Sequence, residues 1–547
     1  MSALHGSADV HAVEAPVTFK AYLLCVFASV GGIFFGYDLG YITGVLPTKA
    51  FVKAIEGEGA LFVSSPHTSL IVSILSAGTF VGSLVAGDLA DRYGRRSVNI
   101  CGCAIYAVGV TLQMFPDKSL AILVVGRLVA GLGVGFVGSI IILYMSEIAP
   151  RKFRGPIVAG YQFLSTVGLM IASIATKFSR NRPGSAAYRI PIGLQYIWAL
   201  ALVCGLLFLP DSPRYFVKRG RIDQARSALA RIRSQPPTSR FIEAELAEIV
   251  ANAEVEAQLI PTGSWYSSWA ACFSGSFSNP ASNLRRTFLG MTIQMMQQWT
   301  GINFIFIYST PFLRSTGAIK DPFLMSMIFT IVNVVSTPLS FWTVERFGRR
   351  PLLIYGTASM CICQLLVAII GITVGSNKVL FTAGGGMIAR NISAVDAQVA
   401  LIAIAIFSFA STWGPTSWIL IGEIFPLPIR SRGVALSIAS GWLWAVVVSV
   451  IAPYMIGRDK GNMRAAVFFV WGGACVFGVA YAYYLVPETR GLSLEQIDQM
   501  LSETTPRNSA KWRPTTTFAA EAGKVLGEPQ QLDKDDKLDE ESGVSLV

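Results

Sequence analysis

The sequence predicts an all-α membrane protein with twelve transmembrane helices in two six-helix halves and a short cytosolic helical linker between them. Three observations carry that prediction. The 547 residues are 52% hydrophobic and only 14% charged, with a mean hydropathy of +0.53, where soluble domains carry about 25% charged residues. Apolar runs of roughly 20 residues, each long enough to cross a bilayer, recur from Ala21 to Val486. Motifs that follow spans of the first half also return after the corresponding spans of the second. The first two observations exclude a soluble enzyme, a secreted disulfide scaffold and a disordered chain.

Residues 1–20 are polar and lead into an apolar run with no small-residue cleavage site. They therefore read as a cytosolic N-terminal tail rather than a removable signal peptide. The first half, 21–209, holds spans at about 21–46, 69–90, 97–115, 120–144, 156–178 and 190–209. Only helices or closed barrels satisfy their backbone in lipid. Barrel strands alternate over about ten residues, so continuous apolarity means helices. The linker, 210–286, contains "IDQARSALARI" and "FIEAELAEIVANAEVEAQ", whose periodicity predicts amphipathic cytosolic helices. The second half, 287–486, holds spans at about 287–314, 322–344, 350–374, 398–421, 433–457 and 465–486. The cytosolic tail, 487–547, is expected to be mostly flexible, being rich beyond 503 in Pro, Thr, Lys and acidic residues.

Basic residues set the orientation. With the N-terminus inside, 29 of the 44 Lys and Arg fall on the inner side and 14 on the outer. Both termini are then cytoplasmic. The net charge of +11 reflects this topology rather than a nucleic-acid partner. Seven of the eight cysteines lie in apolar runs, and Cys272 in a polar loop. The i,i+2 spacings of Cys101 with Cys103 and Cys361 with Cys363 do not share a helix face. These cysteines read as small buried hydrophobes, and no metal site or cofactor is expected.

"GDLADRYGRR" after span 2 returns as "VERFGRR" after span 8. "SEIAPRKFRG" after span 4 returns as "GEIFPLPIRSRG" after span 10, and "PDSPR" as "PETR". Two homologous halves are the simplest explanation, and such duplication is typical of transporters with a midplane substrate site. Together with "PDSPRYFVKRG", "QQWTGINFIFIYST" and "PETRGLSLEQ", these motifs resemble the sugar porter family of the major facilitator superfamily. The likeness is greatest to high-affinity monosaccharide transporters of filamentous fungi, and runs from about Phe35 to Ala519.

The paired loop motifs place both signs of charge at the cytosolic ends of neighbouring helices. In the first half these are Asp88, Asp91, Arg92, Arg95, Arg96, Glu147, Arg151 and Arg154. In the second they are Glu345, Arg346, Arg349, Arg350, Glu423, Arg430 and Arg432. Such pairs can latch helix ends in one conformation and release them in another. Retention of positive loops at the membrane surface would not need the acidic partners.

Asp38 of span 1 and Arg127 of span 4 lie well inside apolar runs. Each costs about 2.5–3.5 kcal/mol at a helix centre, so each needs a partner or a purpose. A carboxylate that alternately meets and leaves an arginine takes up and releases a proton as the gates switch. The bland alternative is a permanent ion pair. The resemblance implies proton coupling, because proton-coupled sugar porters carry an Asp at the position matching Asp38.

Sugars are uncharged polyols, so their sites need amides that donate and accept and rings that cover the apolar face. Gln162 of span 5, Gln297, Gln298 and Asn303 of span 7, Asn333 of span 8 and Trp418 of span 10 are the candidates. Any single amide could equally bond one helix to another. The resemblance implies sugar contact for Gln162, Gln297, Gln298, Asn303 and Trp418, and leaves Asn333 open. Gly441, Ala445 and Ile307 depart from the family pattern, which has amides at the first two positions and often an aromatic at the third. A roomier, more apolar pocket is expected there.

"GLGVGFVG" lies inside an apolar run with no strand before it, so it reads as close helix packing rather than a nucleotide loop. Asn391 heads the only N-x-S/T site, in the predicted outer loop between spans 9 and 10, and is a glycosylation candidate. The sequence is thus expected to encode a monomeric plasma-membrane monosaccharide–proton symporter. Its partners would be a small-molecule sugar, protons and membrane lipid. The alternatives are a transporter of a pentose, sugar acid or other polyol, and a non-transporting sensor on the same fold. No catalytic constellation points to an enzyme.

Overall fold

A computed structural model of the chain describes residues 27–513. Outside it are the two ends, residues 28 and 61, and the stretches 117–118, 150–153, 260–268, 280–281, 309–321, 374–378, 382–386, 390, 427–428, 458–459 and 493. Twelve spans stand in the predicted order. In the first half they are Gly31–Val45, Ser65–Tyr93, Arg95–Gln113, Leu120–Ile148 and Arg154–Ser179, then Ala186–Gly193 continued by Gln195–Phe208. In the second, span 7 is Asn283–Trp299 continued by 302–308, and span 8 is Pro322–Ser336 bent into Leu339–Phe347. Span 9 is Arg349–Thr373, span 10 is Ile392–Ser411 broken before Trp413–Glu423, and spans 11 and 12 are Arg430–Ile456 and Val467–Leu485.

Eight of these helices are long and apolar enough to cross a bilayer alone, and the bent span 8 makes a ninth. Span 1 and the first segment of span 7 fall short at 15 and 17 residues, and span 3 opens with two arginines. Spans 2 and 4, 3 and 4, and 1 and 5 pack together in the first half; spans 7 and 11, 9 and 12, and 9 and 10 in the second. The halves meet where span 2 lies along span 11 and span 5 along spans 8 and 10.

The breaks follow from local sequence. Gly301, at φ +78°, turns span 7 where a Cβ would run into the Trp471 ring, a conformation that favours glycine. Span 10 breaks at Thr412, whose ψ of −82° leaves the helical range, and resumes through Gly414 and Pro415. The Trp413 indole holds the break by donating to the Leu353 carbonyl at 3.1 Å and to the Thr357 hydroxyl at 2.5 Å.

The linker forms the helices Pro213–Lys218, Ile222–Arg233 and Arg240–Leu259 around Val217, Ala225, Leu229, Ile242 and Leu246. Arg233 fixes this unit to the membrane domain. It bonds Glu245 at 2.6 and 3.1 Å and donates to the Ile148 carbonyl at the end of span 4 at 2.8 Å. The first part of the tail is ordered, ahead of the stretch beyond 503 expected to be flexible. The helix Leu494–Glu503 and the turn Ser509–Lys511 pack against the second half. Ile497, Met500 and Leu501 are buried beside Trp512, and Arg286 pairs with Asp498. An apolar stripe in "LEQIDQML" supplies the burial that a solvated tail lacks. A short hairpin, Val379–Phe381 with Met387–Ala389, lies between spans 9 and 10.

Candidate functional site

Between the halves lies a cavity enclosing about 850 Å³ of space, part of it open solvent. All six candidate sugar residues line it: Gln162, Gln297, Gln298, Asn303, Asn333 and Trp418. They come from spans of both halves. The Trp418 indole donates to the Gln162 Oε1 at 3.0 Å, joining span 10 to span 5 across the interface. Gln297 donates to the Gly414 carbonyl at 3.4 Å, at the break in span 10, and Asn303 bonds Gln298. Asn333 is 2% exposed and its Oδ1 has no partner. An unpaired buried acceptor is costly, and here it faces a cavity that a hydroxyl could fill.

The sequence reading missed several lining residues. Phe35, Phe306, Phe409 and Trp442 supply ring surface, and Phe35 meets Trp442 edge-on at 5.5 Å across the halves. Gln294 is 1% exposed with its Nε2 unpaired. It also corrects the expected roomier corner. Gly441 and Ile307 do line the cavity, but the Gln294 amide lies against Gly441, so that a Cβ added there would come within 3.1 Å of its Oε1. The space left by the glycine is occupied by an amide from span 7. Ala445 is buried one turn further along span 11. Gln294 was legible as a polar residue three positions before Gln297, on the same helix face.

Asp38 and Arg127 are each 1% exposed, but neither is bonded to the other. Arg127 donates to the Ile71 carbonyl at 2.5 Å and to the Tyr41 hydroxyl at 2.6 Å, and Tyr41 donates to Gln113. The Asp38 Oδ1 lies 3.1 Å from the Tyr106 hydroxyl, and its Oδ2 has no partner. In this conformation Asp38 and Arg127 therefore bond different tyrosines rather than each other. Span 1 connects this site to the cavity, which it lines with Phe35, Gly36 and Leu39.

At the motif-bearing end the two halves repeat one design. Arg95 bonds Asp91 at 3.1 Å and Glu147 at 3.0 Å, and Arg349 bonds Glu345 at 3.5 Å and Glu423 at 3.2 Å. The acid of each "PDSPR" or "PETR" motif caps the helix that the arginine opens, span 3 or span 9. Asp211 accepts from the Arg95 backbone at 3.0 Å, and Glu488 from the Arg349 backbone at 2.9 Å. Burial raises the Asp211 carboxyl above its ordinary 3.8, against the lowering effect of the Ser212 and Arg95 amides. Gly94 and Gly348, at φ +92° and +91°, make the turns that bring these acids close.

These networks staple helices within each half. The contacts between halves are fewer: Arg432 pairs with Asp88 at 3.5 Å, and the Ser431 hydroxyl donates to Asp91 at 3.3 Å. Trp269 of the linker also donates to Asp88, at 2.9 Å. Other motif arginines bond backbone carbonyls. Arg96 donates to the Leu207 carbonyl, Arg350 to the Tyr483 and Arg507 carbonyls, and Arg430 to the Phe425 carbonyl. Arg346 stacks on Trp342, and the exposed Arg92 offers its own carbonyl to Arg219. Arg151 and the side chain of Arg154 lie outside the described residues. Asn391 caps span 10, its Oδ1 accepting from the Ala394 backbone at 3.2 Å. Among the described residues no group of three or more His, Cys, Asp or Glu is placed to hold a metal ion.

Residues 24–501 match the family model described as sugar (and other) transporter. The chain is 37% identical over 533 residues to the major facilitator-type transporter ecdD of Aspergillus rugulosus, covering 94% of this chain and 95% of that one. It is 38% identical to the probable glucose transporter rco-3 of Neurospora crassa, covering 91% and 82%. It is 35% identical to the high glucose sensor RGT2 of Saccharomyces cerevisiae, covering 90% of this chain and 62% of the sensor. Among solved structures it is similar to the proton:xylose symporter XylE bound to 6-bromo-6-deoxy-D-glucose. The TM-score is 0.72 at 22% identity, covering 88% of this chain and 99% of that one. That likeness establishes the shared fold.

Proposed function

The chain belongs to the sugar transporter family of the major facilitator superfamily, with fungal sugar porters among its relatives, and from that premise we propose that it imports a monosaccharide, a glucose-like hexose, together with protons across the plasma membrane. Both termini face the cytosol in this reading, as the basic-residue asymmetry requires. The observation that carries it is the amide-and-ring cavity between two halves whose motif-bearing ends are latched by Asp88 and Arg432. Gln162, Gln297, Gln298, Asn303, Asn333 and Gln294 hold hydroxyls, and Trp418 covers a C–H face of the ring. Rocking of the halves opens the cavity to one side at a time, and rupture of the Asp88–Arg432 pair admits the cytosol.

Asp38 couples the proton. An ionised carboxylate buried without a cation costs several kcal/mol, and a bound proton removes that cost. When the halves rock, Arg127 exchanges Tyr41 for Asp38 and expels the proton. Because span 1 holds both Asp38 and cavity-lining residues, sugar occupancy and protonation bear on one helix. A proton crossing 100 mV contributes about 2.3 kcal/mol, enough for accumulation of nearly fifty-fold at about tenfold per 1.4 kcal/mol.

Uptake of labelled glucose, xylose and galacturonate in a transporter-deficient yeast, with and without a protonophore, tests this reading. Concentrative glucose uptake that the protonophore abolishes is the expected result. Concentrative uptake of xylose or galacturonate would replace the hexose by a pentose or sugar acid. The likeness to a glucose sensor favours a second reading, sensing without transport. Absence of uptake of all three sugars by protein verified at the cell surface would select it.

A further inference from the structure

The geometry points to Tyr106 and Gln195 as positioning residues that govern when Asp38 holds its proton, an inference that rests on the coupling role proposed for Asp38. The Tyr106 hydroxyl lies 3.1 Å from the Asp38 Oδ1 and 2.7 Å from the Gln195 Oε1. All three side chains are 1% exposed or less. A phenol carries one proton, whereas an ionised carboxylate and an amide oxygen only accept. With Asp38 ionised and Gln195 oriented as it stands, one proton is shared between two acceptors, and one close oxygen pair has no hydrogen between its members.

Two arrangements satisfy the chain. In the first, Asp38 is protonated and donates to the Tyr106 oxygen, and Tyr106 donates to the Gln195 Oε1. In the second, Asp38 is ionised and accepts from Tyr106, and the Gln195 amide has turned over so that its Nε2 donates to the phenol. The Gln195 Nε2 has no partner in the present orientation, and neither has the Asp38 Oδ2. The observed orientation is therefore the one that suits the protonated acid. Ionisation of Asp38 and rotation of the Gln195 amide form a single two-state switch.

The surroundings leave this switch in control. Arg127, from span 4, is engaged by Tyr41 and the Ile71 carbonyl. Tyr37 and Tyr41 of span 1 are the other titratable groups beside the site, and Tyr37 donates to the Pro191 carbonyl at 2.9 Å. Span 5 meets span 1 through Ser165, Leu169 and Ala172 against Gly36 and Gly40, none of them ionisable. Gln195 begins the second segment of span 6, directly after the Pro191-containing segment. Movement of span 6 relative to span 3 would turn the amide and so change the proton affinity of Asp38.

Infrared difference spectroscopy of the full chain in lipid vesicles reads this directly. The carbonyl stretch of protonated Asp38, identified by its loss in Asp38→Asn, is titrated against pH. Tyr106→Phe removes a charge-assisted bond from the ionised form and a weaker one from the neutral form. Its midpoint should move upward by about half to one pH unit. Gln195→Leu leaves the neutral pair with two O–H groups and no Gln195 acceptor, so one buried donor goes unpaired, whereas the ionised pair keeps Tyr106 donating to Asp38; its midpoint should move downward by about the same amount. Shifts of opposite sign are expected from the switch and not from general loosening of the site. Unmoved midpoints in both variants, or shifts of the same sign, would overturn it, and either variant remains informative if the other does not fold. Protonophore-insensitive uptake with opposed midpoint shifts would remove the coupling role and leave the switch standing.

Discussion

Asp38 and Arg127 show how far a residue's chemistry can be read before its partners are known. Both stood out as ionisable groups in apolar runs, where charge is expensive. The expectation was that they meet and part by turns, and in this conformation each bonds a tyrosine instead, Arg127 to Tyr41 and Asp38 to Tyr106. A tyrosine in an apolar run carries no sequence signal of its own, because its ring suits the core and its hydroxyl declares a role only through a neighbour. Gln294 was similarly overlooked, and it refills the corner that Gly441 leaves. Gly441→Asn should displace that amide and raise KM for the transported sugar by about three- to tenfold, the scale of one lost hydrogen bond, with little change in kcat. Initial-rate measurements across sugar concentrations check it, and an unchanged KM would mean that the Gln294 amide makes no sugar contact.

Among elements, the charge motifs were legible as repeats, but not as the particular contacts they make. The identity of Asp211 and Glu488 as caps depended on the turns at Gly94 and Gly348, which bring distant segments together. Most motif charges hold helices within one half, so the pair that joins the halves, Asp88 with Arg432, is the one whose removal should bias the conformation. Arg432→Asp should increase the rate at which a cytosolic thiol reagent labels a cysteine placed at Ile438 by several-fold. Adding Asp88→Arg should restore it, since the opposite charges then face each other again. Failure of the double variant to recover would show that the pair is not a latch.

A second element-scale prediction concerns pH. Glu56, after span 1, accepts from the Ser64 backbone and hydroxyl at 2.9 and 2.8 Å and contacts the His67 Nδ1 at 2.7 Å. Burial acts to raise its carboxyl, but these donors outweigh burial and hold it below its ordinary 4.5. A lowered acid stabilises the folded loop above its unfolded value and loses that stabilisation as pH falls through the folded value. Hydrogen exchange in 57–64 should therefore accelerate as pH drops below 4.5, relative to the rate expected from intrinsic chemistry, and Glu56→Gln should remove the dependence. Retained protection in Glu56→Gln at neutral pH would show that the carboxylate does not tether this loop.

At the scale of the whole molecule, hydropathy and the internal repeat were sufficient for twelve spans in two halves, since lipid leaves the backbone few alternatives. The breaks in spans 7 and 10 were foreshadowed by Gly301, Gly414 and Pro415, and they place amides and rings on the cavity. The packed first part of the tail was hidden by its polar composition, because four or five apolar residues suffice to dock a short helix when a prepared surface awaits it. In the function proposed above, one cycle carries sugar and proton together through this duplicated frame. Its most direct test is uptake of labelled glucose against a gradient by cells expressing the chain or its Asp38→Asn variant, with and without a protonophore. Accumulation by the unaltered chain that the protonophore abolishes, with only downhill exchange remaining in Asp38→Asn, is the predicted result. Accumulation by Asp38→Asn equal to that of the unaltered chain would contradict it.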